Sequence, residues 1–400
     1  RLDKVGGRAS TTDVDGFKVN DGAIVIECGT ITERTFRELD IPWEIREPSP
    51  PILYRIKGKD VDVTGGGWGF LLQKLTRQGA KLVGGIGAAR KDEGLPEEEQ
   101  TLQEWVSKYT KNEGVHGIFR NMAASVFAVG SEDLPARVFL TYFTRKSAFK
   151  RFGFHPEGTI GVWKALAGAI ERDGGEVRLG CEVERIVVEG GPDDGRVTGV
   201  VLAGGETISA PVVVSNVGPA ATVQLLGEPN VPSDHLDTVK RSDRPTAMIT
   251  YNFASQERLI EAPGMLSFAN SRRLAYIANF TESCPEMAPE GWNLYVGTGV
   301  PKPSVGDFDE EAEYAELLED LRETIPNFDD RARILSKVTT KDGWPPQRAV
   351  AGYDMTHDTP LTGLWNVGDA VKEYANGGTT ACAETAEIVV GKITSQFSPS

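Results

Sequence analysis

Cysteine and histidine are both scarce, with four of each in 400 residues. The cysteines (Cys28, Cys181, Cys284, Cys382) stand far apart with no C-x-x-C, and His116, His155, His235 and His357 are equally scattered. That spacing excludes a zinc site, so no metal is expected. Long apolar runs are missing too. Nothing reaches the roughly 18 residues of a spanning helix, and no secretory leader pattern is present. The sequence therefore reads as soluble and cytoplasmic, with contact at a membrane surface left open. Positive charge is in short supply: 43 Lys and Arg face 58 Asp and Glu, a formal charge of -15. No stripe of cations is available to neutralise phosphates, so nucleic acid is not an expected partner.

What is present is ordinary globular material, 40% hydrophobic and 25% charged, which argues against disorder. At about 150 residues per domain the length predicts two to three domains, and a chain this long buries a core without disulfides. Strand signals fall at 17–19, 23–26, 52–56 and 61–63, the last two joined by a Lys57-Gly58-Lys59-Asp60 turn. Glycines surround Trp68, and a helix-like segment covers 71–79. The Gly84-Gly85-Ile86-Gly87 run lacks the third glycine of G-x-G-x-x-G and reads as a bend rather than a phosphate loop. Residues 97–109, 118–129 and 134–144 read as helices, the last with Val138, Phe139, Tyr142 and Phe143 on one aromatic face. Such a face is ordinarily core; lining for an apolar ligand is the alternative.

Residues 160–170 predict a helix with Val162, Leu166, Ala169 and Ile170 on one side. Strands follow at 176–179, 182–189, 197–202 and 211–215, an antiparallel meander turning at 191–195 and at Gly204-Gly205. Further alternation at 246–253, 265–268, 274–280 and 292–297 suits an antiparallel sheet in a separate domain. Residues 304–330 hold eleven acids and one Arg. Tyr314, Leu317, Leu318, Leu321 and Ile325 recur there at helical spacing, so an amphipathic helix with an acidic outer face is expected. Near the end, the apolar strand 364–367 runs straight into Gly368-Asp369-Ala370. Asn376-Gly377-Gly378-Thr379-Thr380 then opens a helix at 381–392. A strand ending in Gly-Asp, with a glycine pair opening the next helix, suits a polar ligand held on backbone donors.

These residues carry a resemblance. Gly6-Gly7-Arg8-x-x-Thr11, with Gly16-Phe17 and Gly22, resembles the GGR-x-x-T region of the FAD-dependent phytoene desaturase and amine oxidase superfamily. Residues 156–216 look like that family's central FAD-domain helix and meander. Pro289-Glu290-Gly291-Trp292 resembles the loop before a late substrate-domain strand. Gly363-Leu364-x-x-x-Gly368-Asp369-Ala370, with Gly377-Gly378 beyond, resembles its C-terminal flavin motif. The four blocks stand in family order, and the Ser215-Asn216 ending and the Gly-Asp-Ala spelling resemble bacterial phytoene-dehydrogenase-related proteins. Asn20 departs from the family, which usually carries Asp there. The family's leading strand, G-x-G-x-x-G loop, helix and second strand would precede Arg1, so a domain without a central parallel strand is expected.

The resemblance implies an α/β fold: a discontinuous Rossmann-like FAD-binding domain lacking its first strand-helix-strand, with a second α+β substrate domain. Residues 1–40, 155–225 and 345–395 would form the FAD domain, and 41–154 and 226–344 the substrate domain. The implied cofactor is FAD. Gly6 and Gly7 would allow close backbone approach, Arg8 would pair with the diphosphate, and the Val183 backbone would reach adenine. Gly368 and Asp369 would meet the ribityl chain, and Gly377, Gly378, Thr379 and Thr380 would turn a helix N-terminus to the flavin ring. Phe139, Tyr142, Phe143 and Tyr374 are the candidates for lining the substrate. No catalytic acid or base stands out. The implied function is hydride transfer between a hydrophobic, polyene- or isoprenoid-like small molecule and flavin N5. An amine oxidase is the first alternative. A flavin-free module binding a prenylated protein, as in Rab-escort and GDP-dissociation-inhibitor proteins, is the second.

Overall fold

The computed structural model describes residues 1–62, 85–88, 95–144 and 151–397. Val63, the glycines around Trp68, the helix-like 71–79 segment and Gly84 lie outside the described residues. A hairpin of β1 (Thr11–Val14) and β2 (Phe17–Asn20) opens the chain, followed by β3 (Ile26–Glu27), α1 (Ile31–Glu38), β4 (Ile52–Ile56) and β5 (Lys59–Asp62). Three helices come next, α2 (Leu102–Ser107), α3 (Glu113–Phe127) and α4 (Ala136–Thr144), then β6 (Phe152–Gly153) and α5 (Ile160–Arg172). The middle of the chain carries β7 (Val183–Glu189), β8 (Arg196–Leu202), β9 (Thr207–Ser209), β10 (Val213–Ser215), α6 (Pro219–Leu226) and α7 (Ser233–Ser242). Strands β11 (Met248–Ser255), β12 (Met265–Phe268), β13 (Leu274–Asn279) and β14 (Asn293–Gly299) follow. The chain ends with α8 (Glu310–Thr324), α9 (Phe328–Arg331), β15 (Arg333–Thr340), β16 (Leu364–Asn366) and α10 (Gly378–Gln396).

One region is a seven-stranded sheet in the order β15-β11-β14-β13-β12-β4-β5. Its pairings are antiparallel except β12 with β4, where Met265 faces Ile52, so a hairpin from early in the chain completes a sheet built mostly after residue 247. Helix α8 starts where Asp309 accepts a hydrogen bond from the Ala312 N–H, and it lays Leu317 and Leu321 against the sheet. Both leucines are fully buried beside Phe253 and Tyr295, whose rings stack at 5.4 Å. Burying each such side chain stabilises the fold by about 1.5–3 kcal/mol. Most acids of α8 face outward as the spacing predicts, but Glu313 and Asp320 are buried, paired with Arg273 and Arg272.

The other region joins the two ends of the chain to its middle. Strands β7 and β8 form the expected hairpin, but an unanticipated β9 completes the meander. The strand expected to end it at 211–215 instead pairs as β10 in parallel with β16, Val213 opposite Leu364. Ile186, Val197, Val223, Leu361 and Leu364 share one core, which also takes in Leu226, Val231 and Val239. Leu226, Val231 and Val239, from the end of α6 through α7, thus pack with the meander. Ile26 and Phe36 pack on Val162, tying the beginning of the chain to α5. Val214 and Val217, at β10 and just past it, remain exposed.

Several boundaries differ from the sequence reading. Residues 176–179 form no strand, and β15, unanticipated, edges the large sheet. Helix α2 begins at 102 because Thr101 and Glu104 form a reciprocal capping box. Helix α3 begins at 113, five residues early, because the Asn112 side chain accepts from the Val115 N–H.

Candidate cofactor site

The glycine loop at the start is held by close contacts rather than by side chains of its own. Gly6 has φ +100°, and a Cβ there would stand 2.5 Å from Trp163 Cδ1. A Cβ on Gly22 would stand 2.0 Å from the Arg8 carbonyl oxygen, so the two segments touch backbone to backbone. Trp163 donates its indole N–H to the Ala9 carbonyl. Behind the loop, the Asn20 side-chain oxygen accepts from Thr11 Oγ1 (2.9 Å) and from the Thr159 N–H (3.1 Å). An amide oxygen meets this demand without a buried charge, a reason for Asn to serve at this position.

So fixed, Arg8 reaches across 361 residues of sequence to Asp369, donating at 2.5 and 3.0 Å to its two carboxylate oxygens. It also donates to the Pro345 carbonyl at 2.9 Å, and the Arg348 N–H donates to Asp369 Oδ2 at 2.6 Å. Burial, the largest single influence, would raise the Asp369 carboxyl, but the Arg8 guanidinium, the Arg348 N–H and the Lys372 charge together hold the group below its ordinary range. Gly368 (φ +103°) places this carboxylate just beyond β16, where a Cβ would strike Asn216 Oδ1 at 2.6 Å. Below it Lys372, buried and ion-paired with Asp354, donates to the Asp369 carbonyl at 2.6 Å. The turn after β16 is thus pinned from one side by the half-buried Arg8 and from the other by the buried Lys372.

At the second glycine pair, Gly377 is extended and Gly378 left-handed (φ +79°). Helix α10 starts at 378, three residues before the expected position. Part of its first turn is occupied: Glu27 Oε2 accepts from Thr379 Oγ1 (2.8 Å), the Thr380 N–H (2.8 Å) and Thr380 Oγ1 (2.7 Å). A Cβ on Gly378 would meet Glu27 Oε1 at 2.1 Å, so only glycine admits this carboxylate. Glu27 was not foreseen. It follows an apolar strand, and nothing in its local sequence marks it.

The remaining candidates are distributed less tightly. Val183 opens β7 opposite Leu202. Phe139 is buried between the rings of Phe119 and Phe143 in the core around α4. Tyr142 packs edge-on to Phe127, and its hydroxyl is driven far above its ordinary range by burial and then by the Glu27 charge. Phe143 is half-buried in the same cluster, whereas Tyr374 is 43% exposed between the Asp369 turn and α10. The Cys382 thiol is pushed up to about 12, by burial and then by Asp369, and is inert as a nucleophile. An open cleft of about 520 Å³ lined by Asp193, Asp234, His235, Asp237 and Arg241 lies elsewhere, and none of the candidate cofactor or substrate residues lines it. Among the described residues no cluster of His, Cys, Asp and Glu suits a metal, and no helix is long and apolar enough to cross a membrane.

Glycine loops, a parallel strand pair and a buried Arg–carboxylate contact beside a large mixed sheet define an α/β fold shared with flavin-dependent oxidoreductases. An oxidoreductase from Methanosarcina mazei superposes with a TM-score of 0.85 at 24% identity, covering 98% of this chain and 93% of that one. Putrescine oxidase superposes with a TM-score of 0.67 at 14% identity, covering 99% and 92%. The model of the family described as flavin containing amine oxidoreductase matches residues 1–389, and the chain belongs to that family of FAD-dependent enzymes. A phytoene desaturase (neurosporene-forming) of Cereibacter sphaeroides is 37% identical over 94 residues, which is 23% of this chain and 17% of that protein. The aligned segment therefore spans less than a fifth of that curated relative's length.

Proposed function

We propose that the chain holds FAD between its first loop and its last helix and transfers a hydride between flavin N5 and a hydrophobic, polyene- or isoprenoid-like substrate. The observation that carries this reading is the Arg8–Asp369 contact, which brings the two glycine motifs together at the carboxyl end of a parallel strand. Dinucleotides bind α/β sheets at such ends. In this reading a Rossmann-like domain comprises 1–40, 155–225 and 345–395, extended to take in α7. Residues 41–154 and the sheet region up to 344 form the substrate domain.

When bound, flavin supplies the electron sink for the reaction. The chain's own residues bind and orient. Gly6 and Gly7 admit close backbone approach, Val183 offers strand-end backbone, and Asp369 presents a carboxylate whose ionised state Arg8 maintains. Thr379, Thr380 and the N-terminus of α10 provide donors for the polar edge of the ring, shared with Glu27. Phe139, Tyr142, Phe143 and Tyr374 are the substrate-side candidates. Similarity to a phytoene desaturase supports the polyene class. Amine oxidation is the second reading, favoured by the amine oxidoreductase family itself. Anaerobic reduction of the purified flavoprotein by polyenes against primary amines separates the two. Bleaching by amines alone overturns the polyene reading, and a colourless protein that takes up no FAD overturns both.

A further inference from the structure

Arg8 was expected to meet the diphosphate, yet its guanidinium is largely spent within the chain. It serves both oxygens of Asp369 and the carbonyls of Pro345 and Pro346. A second guanidinium stands beside it. Arg348 follows Pro345-Pro346-Gln347, and its side chain donates no hydrogen bond to the described residues; its Nε is buried without a partner. The stem lies over Gly218, where a Cβ would stand 2.5 Å from Arg348 Cδ, so a side chain there would displace it. Gly218 follows β10, and Asp369 follows β16, the parallel partner of β10. Arg348 therefore sits at the carboxyl ends of both parallel strands.

Two arginines share this corner with Asp369, which Arg8 already engages, and with Asp243, which accepts no hydrogen bond from Arg348 among the described residues, so the Arg348 donors are left incomplete. Burial, then the Arg8 charge, weaken the hold of Arg348 on its proton, and only Asp369 and Asp243 oppose them. A buried donor left without an acceptor is costly, and an anion satisfies it. We propose that Arg348, rather than Arg8, is the cation that takes a phosphate group of the dinucleotide, with Arg8 acting as the positioning residue that holds Asp369. This rests on the flavin reading above. The bidentate fork of a guanidinium suits a phosphate oxygen pair.

The test is binding by the complete protein, native and Arg348→Gln, to ADP, inorganic pyrophosphate, FAD and riboflavin, which lacks phosphate. Arg348→Gln is expected to weaken ADP and FAD by roughly ten- to hundred-fold, the value of a charge-assisted hydrogen bond, and to leave riboflavin unchanged. Arg348→Lys should recover part of the loss. The ligand-free melting temperature of Arg348→Gln should stay level or rise, because an unpaired buried donor is removed. Equal ADP affinity in native and variant protein overturns the assignment, as does an equal loss of riboflavin, which marks a structural role. A native protein that binds ADP but no flavin keeps the assignment and sinks the flavin reading. One that binds neither ADP nor pyrophosphate sinks both.

Discussion

The two regions of this molecule are stabilised by different means. In the seven-stranded sheet, apolar side chains fill the interior, and the buried carboxylates among the described residues are confined to α8, Glu313 on Arg273 and Asp320 on Arg272. Around the glycine loops the interior itself carries charge: Arg8 with Asp369, Lys372 with Asp354, and Glu27 on the first turn of α10. Apolar burial is tolerant of position, whereas a buried ion pair is a defect as soon as one member goes. The sheet is therefore the scaffold and the loop region the part where sequence is least replaceable.

The largest expected effects sharpen that contrast. Lys372→Met strands the Asp354 carboxylate and should cost about 3–5 kcal/mol, read by urea denaturation. Phe253→Ala should cost a similar ~3–5 kcal/mol through the cavity it leaves. The two should part company in flavin binding. At a temperature where both variants are folded, Phe253→Ala should keep native FAD affinity and Lys372→Met should lose it, because Lys372 holds the Asp369 carbonyl. Equal FAD affinity in both would erase the distinction between the regions.

Glu27→Gln comes next. Removing the charge from the α10 N-terminus should lower the stability of the flavin-free chain by about 1–2 kcal/mol. Freed of a competing carboxylate, the same donors should bind FAD more tightly. Weaker FAD binding by the variant would instead make Glu27 a partner of the cofactor.

Acid should act through named groups. Burial lowers the pKa of His155 from its ordinary 6.5 despite the nearby Glu44 and Glu157. The unfolded chain then takes up the proton first, so this contribution is intact above about 6.5 and is lost as pH falls below it. The depressed Asp369 carboxyl adds a further loss at lower pH, since its stabilisation is present above the ordinary carboxylate range and fades as the folded group protonates. His235 and His357, also lowered by burial, act in the same window, so His155→Gln should reduce the first part of a plot of stability against pH by its own share and leave the second. The smallest effect belongs to the surface: Glu176→Gln, at the exposed pair with Arg178, should leave the melting temperature unchanged.

Much of the sheet was legible because its signal is local. Apolar runs at 52–56, 265–268 and 274–279 and the periodicity of Leu317 and Leu321 declare strand and helix within a few residues. The site was legible where a resemblance or a glycine marked it, as at Gly6, Gly368 and Gly378. What stayed hidden is non-local. Nothing near Glu27 announces that it will cap a helix some 350 residues later, and nothing near Arg348 shows that its guanidinium will be left without an acceptor. Strand β15, RILSKVTT, escaped because both its faces are half exposed at the edge of the sheet. Residues 176–179 alternate like a strand yet find no neighbour to pair with among the described residues.

The central claim is that the two glycine motifs, joined through Arg8 and Asp369, make one flavin site. Its most direct test is the FAD dissociation constant of Asp369→Asn, which keeps the side-chain shape and removes the charge, measured where native and variant proteins are equally folded. The account predicts a loss of roughly ten- to hundred-fold in affinity, with flavin largely stripped on gel filtration. A folded Asp369→Asn protein that retains native flavin content and an unchanged dissociation constant would contradict it.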